Sequence, residues 1–144
     1  MRKILFRGKQ IDNGEWVVGY YVQKQDPLLV GVTYHHILTQ EKDNCGCLMS
    51  TVSWYKVIPE TVGQYTGLTD KNGKKIFEGD IVAVYVKGCR TICTVSWAET
   101  VAHFQLWQIN TIPGTPTALN LGNYDCEVIG NIYDNPELLK GGEG

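Results

Sequence analysis

Two histidines and two cysteines lie close together in the first third of the chain, and these residue types can bind zinc. His35 and His36 precede the segment Cys45-Gly46-Cys47, and zinc accepts imidazole and thiolate ligands in a tetrahedral shell. The spacing disfavours such a site, because zinc-binding cysteines are generally separated by roughly two to four residues. Adjacent histidines on a strand also point to opposite faces of the sheet. We therefore expect neither a metal ion nor another cofactor.

Three further cysteines are candidates for a nucleophile. Cys89 and Cys93 are separated by an even number of residues and would share one face of a strand, and Cys126 follows later. A catalytic thiolate needs a nearby base or helix terminus that lowers its pKa. His103 is the remaining candidate base, and no local motif links it to any of these thiols. The sequence therefore predicts buried structural cysteines, and it predicts a protein that is not an enzyme.

A glycine-rich stretch between Ile58 and Val82 contains the segment 70–73, DKNG, whose residue types occur in calcium loops. If Asp70 and Asn72 occupy the third and fifth positions of such a loop, Leu68 and Gly79 occupy the first and last positions, which need carboxylates. This argues against calcium. The glycines also form no phosphate-binding pattern at the start of a helix. We therefore predict that one set of residues in this stretch serves backbone turns: Gly63, Gly67, Gly73, Gly79 and Asp80.

Aromatic side chains are the remaining chemical resource, with four tryptophans, eight tyrosines and three phenylalanines. A β core needs large side chains, so most of these rings are expected to be buried. Rings left exposed on a sheet would instead mark a partner surface or a platform on which nucleobases stack. The candidates for such a surface are Trp16, Tyr20, Trp54 and Tyr65.

Composition limits the class of protein. A chain of 144 residues with 43% hydrophobic and 19% charged residues is typical of one globular domain. The net charge of −2 provides no surplus of Lys and Arg for duplex nucleic acid, although a local basic face stays open. The basic start has too few apolar residues for an export signal, and no stretch is apolar enough for a membrane helix. We expect a cytoplasmic protein with free thiols and no membrane association.

The pattern along the chain favours strands over helices. Alternation of apolar and polar residues bounded by turn signals recurs throughout, and Asp12-Asn13-Gly14 predicts a hairpin between strands 3–7 and 15–22. One short C-terminal helix is predicted, with Asn135 as its N-cap and Gly141 as its stop. We expect one domain over residues 1–144. It comprises a possible N-terminal β subregion 1–57, a signature region 58–140 and a frayed tail 141–144.

Three segments together are similar to one protein family. They are residues 4–9 with 14–21 (ILFRGK and GEWVVGYY), residues 58–82 (IPETVGQYTGLTDKNGKKIFEGDIV) and residues 128–139 (VIGNIYDNPELL). Their order and spacing resemble those of the YopX family, which is encoded mainly by phages and prophages. The resemblance implies a mainly β fold of compact antiparallel sheets. It also implies a partly open SH3-like barrel formed by the segment 58–82 and the strands after it. It carries over no biochemical activity and no catalytic residue.

Three functions follow as hypotheses. The first is a non-enzymatic interaction module that binds a host or phage protein in the bacterial cytoplasm, and exposed strand edges make a homo-oligomer plausible as well. The second is a small β-barrel that binds single-stranded nucleic acid through stacked aromatic rings. The third is an enzyme whose distant polar residues, such as Glu60, Asp80 and His103, meet in space.

Overall fold

The computed structural model of the protein describes residues 1–41, 51–111 and 113–140. The predicted β class is confirmed, because the described residues are mainly strands, and all the strand pairs are antiparallel. The strands are β1 (Phe6–Lys9), β2 (Trp16–Gln25), β3 (Thr33–Glu41), β4 (Thr51–Lys56), β5 (Gly63–Thr69), β6 (Lys75–Phe77), β7 (Asp80–Val86), β8 (Cys89–Ala98), β9 (His103–Gln108), β10 (Ala118–Asn120) and β11 (Cys126–Asn131).

The chain divides into two compact units, Met1–Gln64 and Tyr65–Gly144. The sequence placed a possible subregion boundary near residue 57, whereas the structural division falls after Gln64. Two predictions lie outside the described residues: the Cys45-Gly46-Cys47 loop and the tail 141–144. Among the described residues, no helix combines the length and the hydropathy that crossing a bilayer would require.

The first unit is a sheet with the strand order β4-β3-β2-β1, to which the first two residues of β5 add at the β1 edge. Its core contains the fully buried Ile37 and Val57 together with Val17. Four partly buried side chains pack against this core: Phe6, Tyr21, Tyr55 and Val62. Gly14 has a φ of 71° and lies in the predicted hairpin between β1 and β2.

The second unit contains a five-stranded sheet with the order β10-β9-β8-β7-β11 and the β5–β6 hairpin. A row of β-branched residues makes β7 apolar, and Val82 and Val84 are completely buried in the core with Val95 and Leu106. Strands β10 and β11 form opposite edges of the sheet, so the described residues form an open sheet and no closed barrel. The SH3-like arrangement stays a prediction.

The turn between β5 and β6 is organised by Asp70, which is nearly buried. Its Oδ1 accepts hydrogen bonds from the backbone N–H groups of Asn72 and Lys74, both at 2.9 Å. Its Oδ2 accepts a hydrogen bond from the N–H of Val128 in β11 at 3.0 Å. The segment with calcium-loop residue types is therefore a turn whose carboxylate also connects it to a neighbouring strand.

The predicted turn residues occupy different kinds of position. Gly63 is the first residue of β5 and pairs with Arg7, so it lies in a strand where the sequence predicted a turn. Gly67 has a φ of 88° and lies where the β5–β6 register shifts. Gly73 has a φ of 81° in the turn after Asp70, and Gly79 has a φ of 86° between β6 and β7. Asp80 is buried, and its Oδ2 accepts a hydrogen bond from the N–H of Phe77 at 2.8 Å.

The predicted C-terminal helix is replaced by a short 3-10 helix over Pro136–Leu139. Asn135 does not cap it with its side chain. The Asn135 Oδ1 instead accepts a hydrogen bond from the N–H of Asn131, and its Nδ2 donates to Glu137. The Asn135 side chain thus belongs to the preceding turn, and the four residues after it form one short 3-10 segment.

Candidate interaction surface on the N-terminal sheet

One face of the first unit's sheet covers the core, and the opposite face carries a distinct set of side chains. The strand registers are continuous, with Lys9 opposite Trp16, Tyr20 opposite Leu38, and Leu38 opposite Trp54. Because successive side chains alternate between faces, these registers fix which residues share the face away from Ile37. We call this set the outer face: Arg7, Lys9, Trp16, Val18, Tyr20, Val22, Lys24, Tyr34, His36, Leu38, Gln40, Val52, Trp54 and Lys56.

Large apolar side chains are exposed near the middle of the outer face. Tyr20 is 59% exposed and Trp54 is 54% exposed, on either side of the strand that contains Leu38. Val18 and Val52 are exposed beside them. Soluble proteins rarely leave large apolar side chains clustered in this way without a use for them.

Basic side chains contact two other rings of the outer face, Trp16 and Tyr34. The Arg7 guanidinium lies 4.6 Å from the centroid of the half-buried Trp16 ring, and the Lys9 ammonium lies 5.6 Å from it. The Lys56 ammonium lies 5.1 Å from the centroid of the Tyr34 ring. Such distances are those of cation–π contacts. None of the fourteen outer-face residues is Asp or Glu, so the face combines aromatic and positively charged groups.

A pocket of about 370 Å³ lies at the end of the outer face where β2 leads into a loop. Asp26 builds this loop, because its Oδ1 accepts hydrogen bonds from the N–H groups of Leu28 and Leu29 at 2.8 and 3.0 Å. The Tyr34 hydroxyl donates to Asp26 Oδ2 at 3.0 Å. The pocket is lined by Lys24, Gln25, Asp26, Pro27, Tyr34, His36, Trp54 and Lys56.

The loop carboxylate is already well solvated by protein groups. The backbone N–H groups of Leu28 and Leu29, followed by the Tyr34 hydroxyl, lower the pKa of Asp26 below its usual range. The same hydrogen bond and the Asp26 charge raise the pKa of Tyr34. Asp26 is therefore ionised at neutral pH, but its negative charge is shared with three donors.

His36 is a buried polar residue of the pocket lining, with 9% of its surface exposed. Its ring meets the Trp54 ring edge to face at a centroid distance of 5.7 Å. Among the described residues, its buried Nδ1 has no hydrogen-bond partner. Burial lowers the pKa of His36, and the charges of Lys56, Lys24 and His35 lower it further. We expect a neutral imidazole at pH 7, in a positive local potential.

Comparison with known proteins adds the family. A family model described as "YopX protein" matches residues 5–140, which is nearly the whole chain. The chain belongs to the YopX family. One similar solved structure is that of protein EF1440 from Enterococcus faecalis, with a TM-score of 0.54 and 22% sequence identity. The similarity covers 96% of this chain and 99% of that chain, and at this identity it supports the fold alone. No match was found among curated proteins.

Three of the four aromatic residues predicted for a partner surface lie together on the outer face of this YopX chain: Trp16, Tyr20 and Trp54. Tyr65 does not join them. It lies in β5 within the second unit, is half-buried, and packs against Phe77 at a centroid distance of 5.6 Å.

The basic outer-face residues were not singled out by sequence reasoning. Lys9, Lys24 and Lys56 are separated along the chain, and only the strand register brings them to one face. The signal that could have found Lys24 and Lys56 is their parity, because each lies an even number of residues from a predicted aromatic on its own strand.

The two candidate zinc-binding histidines lie on opposite faces of β3. His35 faces away from His36, stacks on Tyr21 and forms a hydrogen bond with its hydroxyl. Among the described residues, no cluster of three or more metal-ligand types occurs. The other predicted zinc ligands, Cys45 and Cys47, lie outside the described residues.

Two of the three thiols described in the second unit are buried, and the third is exposed at a strand end. Burial, followed by the charges of neighbouring thiol or carboxyl groups, raises the pKa of both Cys93 and Cys126 to about 11. Such thiols carry almost no thiolate at neutral pH and are poor nucleophiles. Cys89 is exposed at the start of β8. The His103 ring forms its hydrogen bond with the Phe104 backbone oxygen at 3.1 Å.

Two further polar residues named for a hypothetical catalytic site have other surroundings. Asp80 is almost completely buried at the start of β7 in the second unit. Glu60 is exposed in the short 3-10 helix Pro59–Thr61 of the first unit.

Proposed function

We propose that this YopX-family protein is a non-enzymatic interaction module that binds a host or phage protein through the outer face. The observation that carries the proposal is the exposure of Tyr20 and Trp54 in the centre of a face with basic surroundings. Tryptophan, tyrosine and arginine are the residue types that contribute most to protein–protein affinity. The buried, high-pKa thiols support a non-enzymatic role.

Charge identifies the chemistry of the partner. Four Lys and Arg residues and no carboxylate belong to the outer face, so the complementary surface is acidic. An acidic surface with an apolar centre would contact Tyr20, Val18 and Trp54 and leave the basic groups at the rim. The setting we propose is the cytoplasm of a bacterium that carries the phage or prophage, where such a partner would be encountered.

The test uses matched variants. The wild-type protein, the double variant Tyr20→Ala with Trp54→Ala, and Tyr85→Ala are used as baits in infected host cells, and the recovered proteins are compared. Tyr85 is the control because it is a 66% exposed ring in the second unit. The captured protein is then purified and its affinity is measured by calorimetry.

We expect a partner that is retained by wild type and Tyr85→Ala and bound about tenfold or more weakly by the double variant. Recovery of no specific partner, or equal binding by the double variant, would overturn the proposal. Sedimentation of the purified protein tests a second copy as the occupant, because self-association that disappears only in the double variant would assign the outer face to a homo-oligomer.

A second candidate function, single-stranded nucleic-acid binding, is favoured by the cation–aromatic pairs at Trp16 and Tyr34. Non-specific binders combine a positively charged surface with rings on which bases stack. This function predicts micromolar or tighter binding of a labelled oligothymidine at low salt, measured by fluorescence anisotropy, and weaker binding by Trp54→Ala. Absence of binding at low salt eliminates it.

A further inference from the structure

The pocket beside Asp26 has three properties that fit a small ligand. It is concave, with a cavity of about 370 Å³, which falls in the range of small-molecule sites. Lysines from two different strands, Lys24 of β2 and Lys56 of β4, line it. A buried imidazole nitrogen of His36 lacks a hydrogen-bond partner among the described residues, although buried polar groups are normally paired.

We propose that this pocket binds a nucleoside phosphate, with the base against the Trp54 ring and the phosphate between the Lys24 and Lys56 ammonium groups. The inference goes beyond the proposed protein partner, since it concerns a small ligand. It needs no chemical step, only binding.

The aromatic part of the argument depends on Trp54. More than half of its surface is exposed, while its edge-to-face contact with His36 fixes the orientation of the ring. An exposed but oriented indole is a stacking surface for a planar base. Tyr34 cannot move freely to compete for this role, because its hydroxyl donates to Asp26 and Lys56 lies over its ring.

The electrostatic part depends on the groups that face His36. Lys24 contributes from β2, His35 from the same strand and Lys56 from β4, and the charges of all three disfavour a proton on the imidazole. A phosphate between the two lysines would neutralise that potential. The Asp26 carboxylate is the opposing charge at the rim, and its oxygens are occupied by Leu28, Leu29 and Tyr34.

The experiment titrates AMP, adenosine and inorganic phosphate separately into the purified full chain, with NMR detection of amide and imidazole shifts. We expect AMP to bind with a Kd of about 1 mM or tighter and to shift the resonances of β2, β3 and β4 beside the pocket. The imidazole pKa of His36, measured by its own titration, should rise when AMP is bound. Adenosine and phosphate should each bind about tenfold or more weakly than AMP.

The variants separate this inference from the proposed protein partner. Lys24→Gln combined with Lys56→Gln, and Trp54→Ala separately, should each weaken AMP binding about tenfold or more. Tyr20 lies outside the pocket, so Tyr20→Ala should leave AMP binding unchanged although it weakens the binding of a partner protein. A 5′-phosphorylated pentanucleotide distinguishes the two possible sources of the ligand. Tighter binding than that of AMP assigns the pocket to the 5′ ends of nucleic-acid strands. Equal or weaker binding assigns it to free nucleotides.

Several results would overturn the inference. They are adenosine binding as tightly as AMP, AMP binding that persists in the double lysine variant, and no shift at millimolar AMP in a wild-type protein whose spectrum is that of the folded chain. If inorganic phosphate bound as tightly as AMP, the pocket would hold an adventitious ion only, and the proposal of a nucleotide site would be refuted.

Discussion

Gly79 shows how a single residue sets the geometry of the second unit. Its φ of 86° is a left-handed conformation that side chains with a branched Cβ rarely adopt. Its N–H donates to the Val95 backbone oxygen, and its own oxygen accepts a hydrogen bond from the N–H of Ile132, both at 2.9 Å. An added Cβ would lie 3.3 Å from the Tyr133 ring. The turn thus combines a left-handed conformation that suits glycine with two backbone hydrogen bonds and a close neighbour.

We predict that Gly79→Val lowers the free energy of unfolding by about 2–3 kcal/mol, because valine is strained at positive φ and its side chain would crowd Tyr133. Urea denaturation at pH 7 measures the loss. Gly14→Val is the matched control, since Gly14 has a φ of 71° but nothing within 4 Å of an added Cβ. It should lose less stability than Gly79→Val. An unchanged melting temperature in Gly79→Val would contradict the turn geometry.

The residue types predicted part of the candidate site. Trp16, Tyr20 and Trp54 were predicted as surface candidates because they are aromatic, and they lie on one face of the first unit's sheet. Tyr65 was predicted with them, yet it packs on Phe77. What separates it from the others is a tertiary contact, and no local pattern encodes that contact.

At the scale of elements, the sequence predicted the strands better than their pairing. The hairpin at Asp12-Asn13-Gly14 follows from turn chemistry, and the β class follows from alternation. The register that aligns Lys24 with Tyr34 and His36 with Lys56 depends on where β2 and β3 end. A slip of one residue would move every side chain to the other face, so the pocket could not be predicted from the strands alone.

Asp70 connects two elements that are far apart in the chain. Its carboxylate holds the β5–β6 turn through Asn72 and Lys74, and it reaches β11 through Val128. Burial alone would raise its pKa, but the three backbone hydrogen bonds outweigh burial and hold the pKa of Asp70 below the usual value. The ionised form is therefore the one that stabilises the fold.

We predict that Asp70→Asn lowers the free energy of unfolding at pH 7 by about 2 kcal/mol, since an amide cannot accept as well from donors on both sides. The folded pKa lies below the unfolded value, so the wild-type contribution is fully present above the unfolded pKa and is lost as pH falls through the folded pKa.

The measurement is urea denaturation of both proteins from pH 7 down to about pH 3. The difference in stability between wild type and Asp70→Asn should shrink in acid. Asp125→Asn, at an exposed carboxylate near the start of β11, is the control and should change little. A difference that stays constant over the pH range would show that the Asp70 charge is not the stabilising feature.

At the scale of the whole molecule, charge is distributed unevenly between the two units. The sequence over residues 1–64 has seven Lys and Arg against six Asp and Glu, a net charge of +1. Residues 65–144 have six against nine, a net charge of −3. The total of −2 provides no surplus of basic residues because the composition averages over both units. The outer face is locally basic, and local charge determines which partner it attracts.

This distribution predicts how binding at the outer face responds to salt. If an oligonucleotide binds there, each basic residue that neutralises a phosphate contributes about −0.7 to the slope of log K against log salt concentration. An oligonucleotide whose phosphates contact Lys9, Lys24 and Lys56 should therefore give a slope of about −2. An acidic protein should give a shallower dependence, because folded proteins carry no condensed counterion layer comparable to that of a nucleic acid.

Variants that remove positive charge show which residues determine the slope of log K against log salt concentration. Lys9→Gln combined with Lys24→Gln should reduce the magnitude of the oligonucleotide slope by about 1.4, since two phosphate contacts are lost. Lys74→Gln combined with Lys75→Gln removes two exposed charges of the second unit and should leave the slope unchanged. Equal effects of the two pairs would mean that the ligand responds to total charge, and the outer face would then have no special part in binding.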